Sequence, residues 1–153
     1  IVASDFSPAR RKLAEHMGAH VTVDPRESPA IAASRKHGGA KPLVIFEAVG
    51  VPNMLAGAMK DAPRGGRILV VGVCMEDDTI QPAMGINKEL TVQFALGYTP
   101  DEFNRTLGYI ADGSIDVAPL ITGEVGITGV PQAFKDLANP EAHAKILVEP
   151  ALG

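Results

Sequence analysis

The chain has 153 residues, of which 46% are hydrophobic, and its formal net charge is −4 at pH 7. That length suits one ordinary domain, and that share of apolar residues is enough to build a folded core. The longest basic run is only Arg10-Arg11-Lys12, so the charge pattern argues against binding to DNA or RNA.

Nothing in the sequence predicts a membrane segment. The longest apolar run, Ile68 to Met75, is far shorter than the roughly 20 residues that span a bilayer. The chain begins at Ile1 with no basic and then apolar leader, and its single cysteine, Cys74, can form no disulfide within the chain. These features predict a cytoplasmic protein that does not use a membrane.

Strand and helix patterns alternate along the first half. An opening strand from Ile1 to Ser4 ends at Asp5, and Ser7 is the predicted N-cap of a helix that begins at Pro8 and closes at Gly18. Further strands and helices are predicted in turn at His20–Val23 (strand), Pro29 to about His37 (helix), Pro42–Phe46 (buried strand), Pro52 to about Ala62 (helix) and Arg67–Val73 (strand).

The second half gives weaker patterns. Leu90 to Leu96 alternates apolar with polar or small residues, and this period of two predicts a strand with one covered face. Helices are predicted from Pro100 to about Ala111 and from Val130 to Ala138, and a closing strand at Lys145–Val148. Residues 120–127 give no clear pattern.

Alternation of this kind predicts an α/β fold with a doubly wound, mostly parallel sheet, as one domain over residues 1–153. In such sheets, ligands bind at the carboxyl ends of the strands. The residues that follow each predicted strand are therefore the candidates for a binding site.

Asp5 is the most informative of them. In Rossmann dinucleotide-binding folds, the second strand ends in Asp or Glu, whose carboxylate binds the hydroxyls of the adenine ribose. A carboxylate there repels the 2′-phosphate of NADP and so favours NAD. A strand-terminal Asp before Ser-Pro can equally be a turn or cap residue.

The segment from Asp5 to Ala19 resembles the medium-chain dehydrogenases of the zinc-type, alcohol-dehydrogenase-like kind. In that family a strand-terminal Asp, a basic residue five positions later and a Gly-Ala helix end occur together. Residues 44–50, 65–73 and 90–98 resemble the same family in the same order, and Lys145–Val148 fits its ending. No single motif is diagnostic; their order and spacing, over essentially the whole chain, carry the resemblance.

The resemblance implies the NAD-binding part of an oxidoreductase that transfers a hydride between the nicotinamide and an alcohol or its carbonyl. It implies cofactor contacts at or just after the strand ends: Asp5 and Arg10 at the adenine ribose; Ala48, Val49 and Gly50 along the two riboses; Val71, Gly72 and Val73 against the nicotinamide ring; and Ala95 and Gly97 at its carboxamide. Small residues at these places let a flat cofactor lie close to the backbone. For Val71 and Val73, burial within an ordinary strand is the simpler interpretation.

Two parts of the family pattern are missing from this sequence. The fingerprint Gly-x-Gly-x-x-Gly belongs before Ile1, and the domain that holds zinc in zinc members would lie upstream as well. One cysteine and four scattered histidines do not supply a zinc site, so we expect neither metal ligands nor catalytic residues here, and no activity from this chain alone.

The missing first strand would be the central one of the order 3-2-1-4-5-6. We therefore expect an incomplete Rossmann-like sheet that shows a gap, a rearranged pairing of the two free edges, or a partner chain between them. An unbroken six-stranded sheet within this chain would contradict that expectation.

Two alternatives remain open from the sequence. The parent protein could be a zinc-free quinone or enoyl reductase that uses NADP, since Arg10 and Arg11 offer positive charge near Asp5. The chain could instead be a non-enzymatic α/β assembly module. In that case the strand Leu90–Leu96 would extend a sheet across a homo-oligomer.

Overall fold

The computed structural model describes residues 1–38 and 43–152 of the chain. Strands and helices alternate through these residues. The strands are β1 (Val2–Ser4), β2 (Val21–Val23), β3 (Val44–Glu47), β4 (Arg67–Val70), β5 (Thr91–Phe94), β6 (Ile121–Val125) and β7 (Lys145–Val148). The helices are α1 (Pro8–His16), α2 (Ala30–Gly38), α3 (Met54–Asp61), α4 (Pro82–Lys88), α5 (Pro100–Ala111) and α6 (Val130–Asp136).

All strand pairs in the described residues are parallel, which confirms the predicted α/β class. β1 pairs with β2, β3 with β4, β4 with β5, and β6 with β7. Within the described chain these pairings form three separate sheets, and β1 and β3 each have one strand neighbour. The pairing of the described strands is therefore interrupted, as the sequence led us to expect.

The chain divides into two compact units. One unit contains Ile1–His37 and Pro100–Gly153, and the other contains Gly38–Thr99. The first unit holds the sheets β1–β2 and β6–β7, and the second holds the sheet β3–β4–β5. A single domain over residues 1–153 stays a prediction.

The second unit has the larger apolar core. Met59 and Ala62, from α3 and its end, pack with Ile68 and Val70 of β4. Partly buried residues from the neighbouring elements complete this cluster: Ile45, Leu55, Ala58, Met84, Leu90 and Val92. The β4 strand, central in its sheet, thus supplies the largest fully buried side chain of the cluster, Ile68, which is 1% exposed.

The start of α1 follows the sequence prediction. The Ser7 hydroxyl accepts a hydrogen bond from the Arg10 backbone N–H at 3.1 Å, and Pro8 occupies the first helical turn. Ser7 thus satisfies one of the N–H groups that a helix leaves unpaired at its N-terminus.

Several sequence predictions need correction. The strand predicted to be buried, Pro42–Phe46, begins in the described residues at Val44, and Pro42 lies outside them. Val44 and Phe46 are exposed, so only the other face of β3 is covered. Likewise Val92 is partly buried on β5, but Phe94 and Leu96 beyond it are exposed, so the covered face is shorter than predicted.

The sequence analysis does not predict the helix α4 or the strand β6, and it predicts β4 to be longer than it is. The helix α4 and the strand β6 each carry a glycine in the middle, Gly85 and Gly123, which interrupts the apolar periodicity. The strand predicted at Arg67–Val73 ends at Val70, because the N–H groups of Val71 and Gly72 both bond to the carbonyl of Glu47.

Lys88, the last residue of α4, binds the end of α3. Its ammonium donates to the backbone carbonyls of Met59, Lys60 and Ala62, which belong to the last turn of α3 and the residue after it. These carbonyls have no partner within the helix, and a cation suits the negative end of the helix dipole.

We predict that Lys88→Met lowers the free energy of unfolding by about 1–2 kcal/mol, since it removes charged hydrogen bonds and keeps a similar helix propensity. The urea midpoint of the purified protein measures this loss. Lys12→Met, at an exposed position of α1, is the matched control and should leave the midpoint nearly unchanged. Equal midpoints for the two variants would contradict the prediction.

Candidate functional site

Glu47, the last residue of β3, organises the carboxyl end of the sheet in the second unit. Its side chain is buried, at 6% exposure, and its Oε1 accepts hydrogen bonds from the N–H groups of Val49 at 2.7 Å and Gly50 at 3.0 Å. Its backbone carbonyl accepts from the N–H groups of Val71 at 2.8 Å and Gly72 at 2.9 Å. One residue thus bonds to the exit loops of both β3 and β4.

Gly50 and Gly72 bring these two loops into backbone contact. A Cβ atom on Gly72 would lie 2.4 Å from the Gly50 nitrogen, and a Cβ atom on Gly50 would lie 2.6 Å from the Val73 nitrogen. Gly50 also has a φ of 72°, which side chains disfavour. The absence of side chains at these predicted cofactor positions therefore serves the contact between the loops.

A cleft of about 440 Å³ lies at the same end of the sheet. Its walls come from the ends of β3, β4 and β5 and from the segment after β4, and include Glu47, Gly72, Val73, Cys74, Phe94 and Ala95. Clefts at the carboxyl ends of parallel strands are the usual ligand sites of open α/β sheets. Three residues predicted to contact the cofactor, Gly72, Val73 and Ala95, are thus brought to one cleft.

The other predicted residues of this unit, apart from Val73 in the cleft wall, do not line the cleft. Ala48 and Val49 are exposed on the β3 exit loop, and Gly97 follows β5 with a φ of 64°. Val71 and Val73 are 40% and 67% exposed and lie beyond the end of β4. The interpretation of these two valines as buried strand residues is therefore wrong.

Asp5 and Arg10 lie in the first unit. The Asp5 carboxylate accepts a hydrogen bond from the Ser7 N–H at 2.8 Å through Oδ1, so this residue does fold the turn between β1 and α1. Its side chain is exposed. Arg10 donates to the His143 carbonyl at 2.9 Å, which ties α1 to the segment before β7.

A network of two arginines supports the turn that carries Asp5. Arg11 donates to the carbonyls of Asp5 at 2.7 Å and Phe6 at 3.0 Å and to the carboxylate of Asp24 at 3.1 Å. Arg26 donates to the Phe6 carbonyl at 3.0 Å and to Asp24, and its guanidinium lies 5.4 Å from the centre of the Phe6 ring. The backbone around Asp5 is thus held from two directions.

Asp24, which follows β2, is the anion at the centre of this network. It is buried, and its hydrogen bond to Arg26 holds the pKa of the Asp24 carboxyl well below its usual range, against the opposing effect of burial. The pKa of Arg26 is raised by the same pair. The contribution of Asp24 to folding stability is therefore complete above the ordinary pKa of 3.8 and is lost as the pH falls below it.

Metal and membrane sites were also sought in the structure. Across residues 1–38 and 43–152, no group of three or more His, Cys, Asp or Glu side chains is arranged to hold a metal ion, so this part of the chain does not fit a zinc centre. None of the helices in these ranges combines the length and apolarity needed to cross a bilayer.

Residues 1–112, most of both units, match the family model described as zinc-binding dehydrogenase. The chain belongs to the zinc-binding dehydrogenase family. This confirms the resemblance to zinc-type, alcohol-dehydrogenase-like enzymes that the sequence suggested.

Among curated proteins, the (R,R)-butanediol dehydrogenase of Bacillus subtilis (strain 168) is 30% identical over 98% of this chain. Its solved structure gives a TM-score of 0.83 over the same share. A zinc-binding dehydrogenase structure from Sinorhizobium meliloti 1021, bound to NADP, is 28% identical over 97% of this chain, with a TM-score of 0.79. The chain spans 43% of the length of the first relative and 44% of the last.

Two residues of these sites were not found from the sequence. Glu47 enters the sequence analysis only within the segment 44–50, although a carboxylate at the end of an apolar strand is the signal that identifies it. Asp24 stands in the same relation to β2, followed by Arg26 two positions later. Both ends share the pattern of Asp5: an acidic residue directly after or at the end of a strand.

We predict that Gly72→Ala disrupts the loop contact, because the new Cβ would meet the Gly50 backbone, and that it lowers the free energy of unfolding by about 1–3 kcal/mol. Thermal or urea unfolding measures the change. Gly108→Ala, in α5, is the control: its Cβ meets nothing within 4 Å, so the substitution should stabilise the helix slightly. A Gly72→Ala variant as stable as the wild type would show that the loops separate without cost.

Proposed function

We propose that this chain is the cofactor-binding part of an NAD-dependent, alcohol-dehydrogenase-like oxidoreductase that acts in the cytoplasm on an alcohol or its carbonyl. The observation that carries the proposal is the cleft at the carboxyl ends of β3, β4 and β5, which gathers Gly72, Val73 and Ala95. The bound nicotinamide would supply the hydride acceptor or donor. Because the chain spans less than half of its relatives, the activity belongs to the complete protein.

The lining of the cleft suits one face of a nicotinamide ring. Val73 and Phe94 supply apolar surface, and the carbonyl of Ala95 and the backbone of Gly97 would meet the carboxamide, while the Ala95 N–H donates to the Val70 carbonyl at 3.0 Å. In this arrangement the chain orients the ring and keeps water from one side of it, and no described residue of the cleft is assigned a proton-transfer role.

Specificity for NAD over NADP rests on the first unit. Asp5 keeps an exposed carboxylate whose Oδ2 can face the ribose hydroxyls, since the turn uses Oδ1. The arginines that raised the NADP alternative already have partners: Arg10 donates to the His143 carbonyl, and Arg11 donates to the carbonyls of Asp5 and Phe6 and to Asp24. One similar structure is bound to NADP. The decisive measurement is therefore a comparison of the affinities for NAD and NADP.

We predict that Asp5→Asn weakens NAD⁺ binding about tenfold and improves NADP⁺ binding, because it removes a charged acceptor for the ribose and a repulsion of the 2′-phosphate. Asparagine retains Oδ1, so the turn to Ser7 is kept. Dissociation constants of both cofactors, measured on the complete protein that contains this chain, test this.

Asp77→Asn, which removes one exposed negative charge after β4, is the control and should leave the ratio of the two constants unchanged. The Asp5 assignment is wrong if the ratio for Asp5→Asn stays within twofold of the wild type. A wild type that prefers NADP⁺ would instead favour the zinc-free reductase alternative.

A second function, assembly, is favoured by the outer side of β5. In the described chain this strand pairs only with β4, and Leu96 and Tyr98 just after it are 93% and 72% exposed. An unpaired strand edge with apolar residues beside it is a ready surface for sheet extension. We propose that two copies of the protein associate through this strand as a homodimer.

Light scattering after size-exclusion chromatography tests this assembly. We predict a dimeric wild type and a monomeric Leu96→Lys variant, because the substitution places a charge in the apolar interface. Leu107→Lys, on the exposed surface of α5, should leave the dimer intact. A monomeric wild type, or a dimer unaffected by Leu96→Lys, would contradict the proposal.

A further inference from the structure

We propose that Glu47 is a positioning residue for the cofactor: its buried carboxylate fixes the β3 exit loop against the β4 exit loop and thereby sets the shape of the cleft. The inference rests on the proposed function, since the cleft is taken to receive the nicotinamide half of NAD. It adds a residue that neither the sequence nor the family comparison assigned.

The first argument is the cost of the charge. Glu47 is 6% exposed, and no salt bridge to it is found among the described residues. Burial of a carboxylate without a cation is unfavourable unless hydrogen bonds replace the lost water. An apolar side chain of similar volume would avoid that desolvation cost. What the carboxylate adds is that it fixes the positions of the two backbone N–H groups that donate to it.

The second argument is what those donors are. The N–H groups of Val49 and Gly50 point to one oxygen, Oε1, at 2.7 and 3.0 Å, and so the backbone of the β3 exit loop turns around the Glu47 side chain. Hydrogen bonds to an ionised acceptor are roughly twice as strong as neutral ones. The loop conformation, including the positive φ of Gly50, is therefore fixed by this carboxylate.

The third argument is that the second oxygen reaches the neighbouring loop. A Cβ on Gly72 would lie 2.8 Å from Oε2, and the Glu47 carbonyl already holds the Val71 and Gly72 N–H groups. Glu47 thus bonds to the β3 exit loop through its carboxylate and to the β4 exit loop through its backbone carbonyl, and its Oε2 lies beside Gly72. Since Glu47, Gly72 and Val73 line the cleft together, release of this contact changes the cleft wall directly.

Glu47→Gln tests the proposal, because glutamine keeps the size and one acceptor oxygen but removes the charge. On the complete protein that contains this chain, we expect the dissociation constant of NAD⁺ to rise about tenfold, in line with loss of charged hydrogen bonds. The constant of AMP, which lacks the nicotinamide half and depends on Asp5, should rise no more than about threefold.

Two controls separate positioning from general stability. Lys88→Met destabilises the same unit at a distance from the cleft, and should leave NAD⁺ affinity unchanged at a temperature where the protein is folded. Glu124→Gln removes a charge from an exposed strand residue and should change neither measurement.

The outcomes are distinguishable. NAD⁺ binding by the wild type with an equal constant for Glu47→Gln, or an equal loss for NAD⁺ and AMP, overturns the positioning role and leaves the proposed function standing. A wild type that binds no NAD⁺ overturns both. If Glu47→Gln does not fold, amide exchange of the wild type decides: slow exchange at Val49 and Gly50 supports the proposal, and exchange as fast as in an open loop overturns it.

Discussion

The contact between the exit loops of β3 and β4 is the constraint on which the second unit depends. Parallel strands deliver their carboxyl ends to one edge, where the backbone leaves the ladder and needs new partners. Glu47 accepts hydrogen bonds from four backbone N–H groups of these loops, two at its carboxylate and two at its carbonyl. The paired glycines then allow the loops to touch, and the cleft opens beside them.

In the first unit, charged side chains bind the backbone groups at the end of a strand. There the turn after β1 is held by the guanidinium groups of Arg11 and Arg26, and both of them pair with the buried carboxylate of Asp24. Asp5 adds an exposed carboxylate at the same turn, and its Oδ1 accepts a hydrogen bond from the Ser7 N–H.

The alternation of elements could be predicted because it depends on local signals: the cap at Ser7, the glycine after α1 and apolar strands of ordinary length. The elements α4 and β6, which are interrupted by glycine, were not predicted, since their stability comes from packing and pairing partners distant in the sequence. A cleft does lie at the strand ends where the sequence predicts cofactor contacts, and its ligand stays a prediction. The sequence does not predict the contact of Gly72 with Gly50, because that contact depends on the three-dimensional approach of the two loops.

A glycine at a strand exit can leave the backbone accessible to a ligand, and it can allow two loops to pack closely. Both effects are compatible in this fold. A cofactor that lies against a backbone requires the backbone to be bare on one side and immobile on the other. In the second unit, Gly50 and Gly72 make the backbones bare, and their mutual contact together with the buried Glu47 makes them immobile. Binding then costs little loop ordering, because folding has already fixed the surface that the ligand would meet.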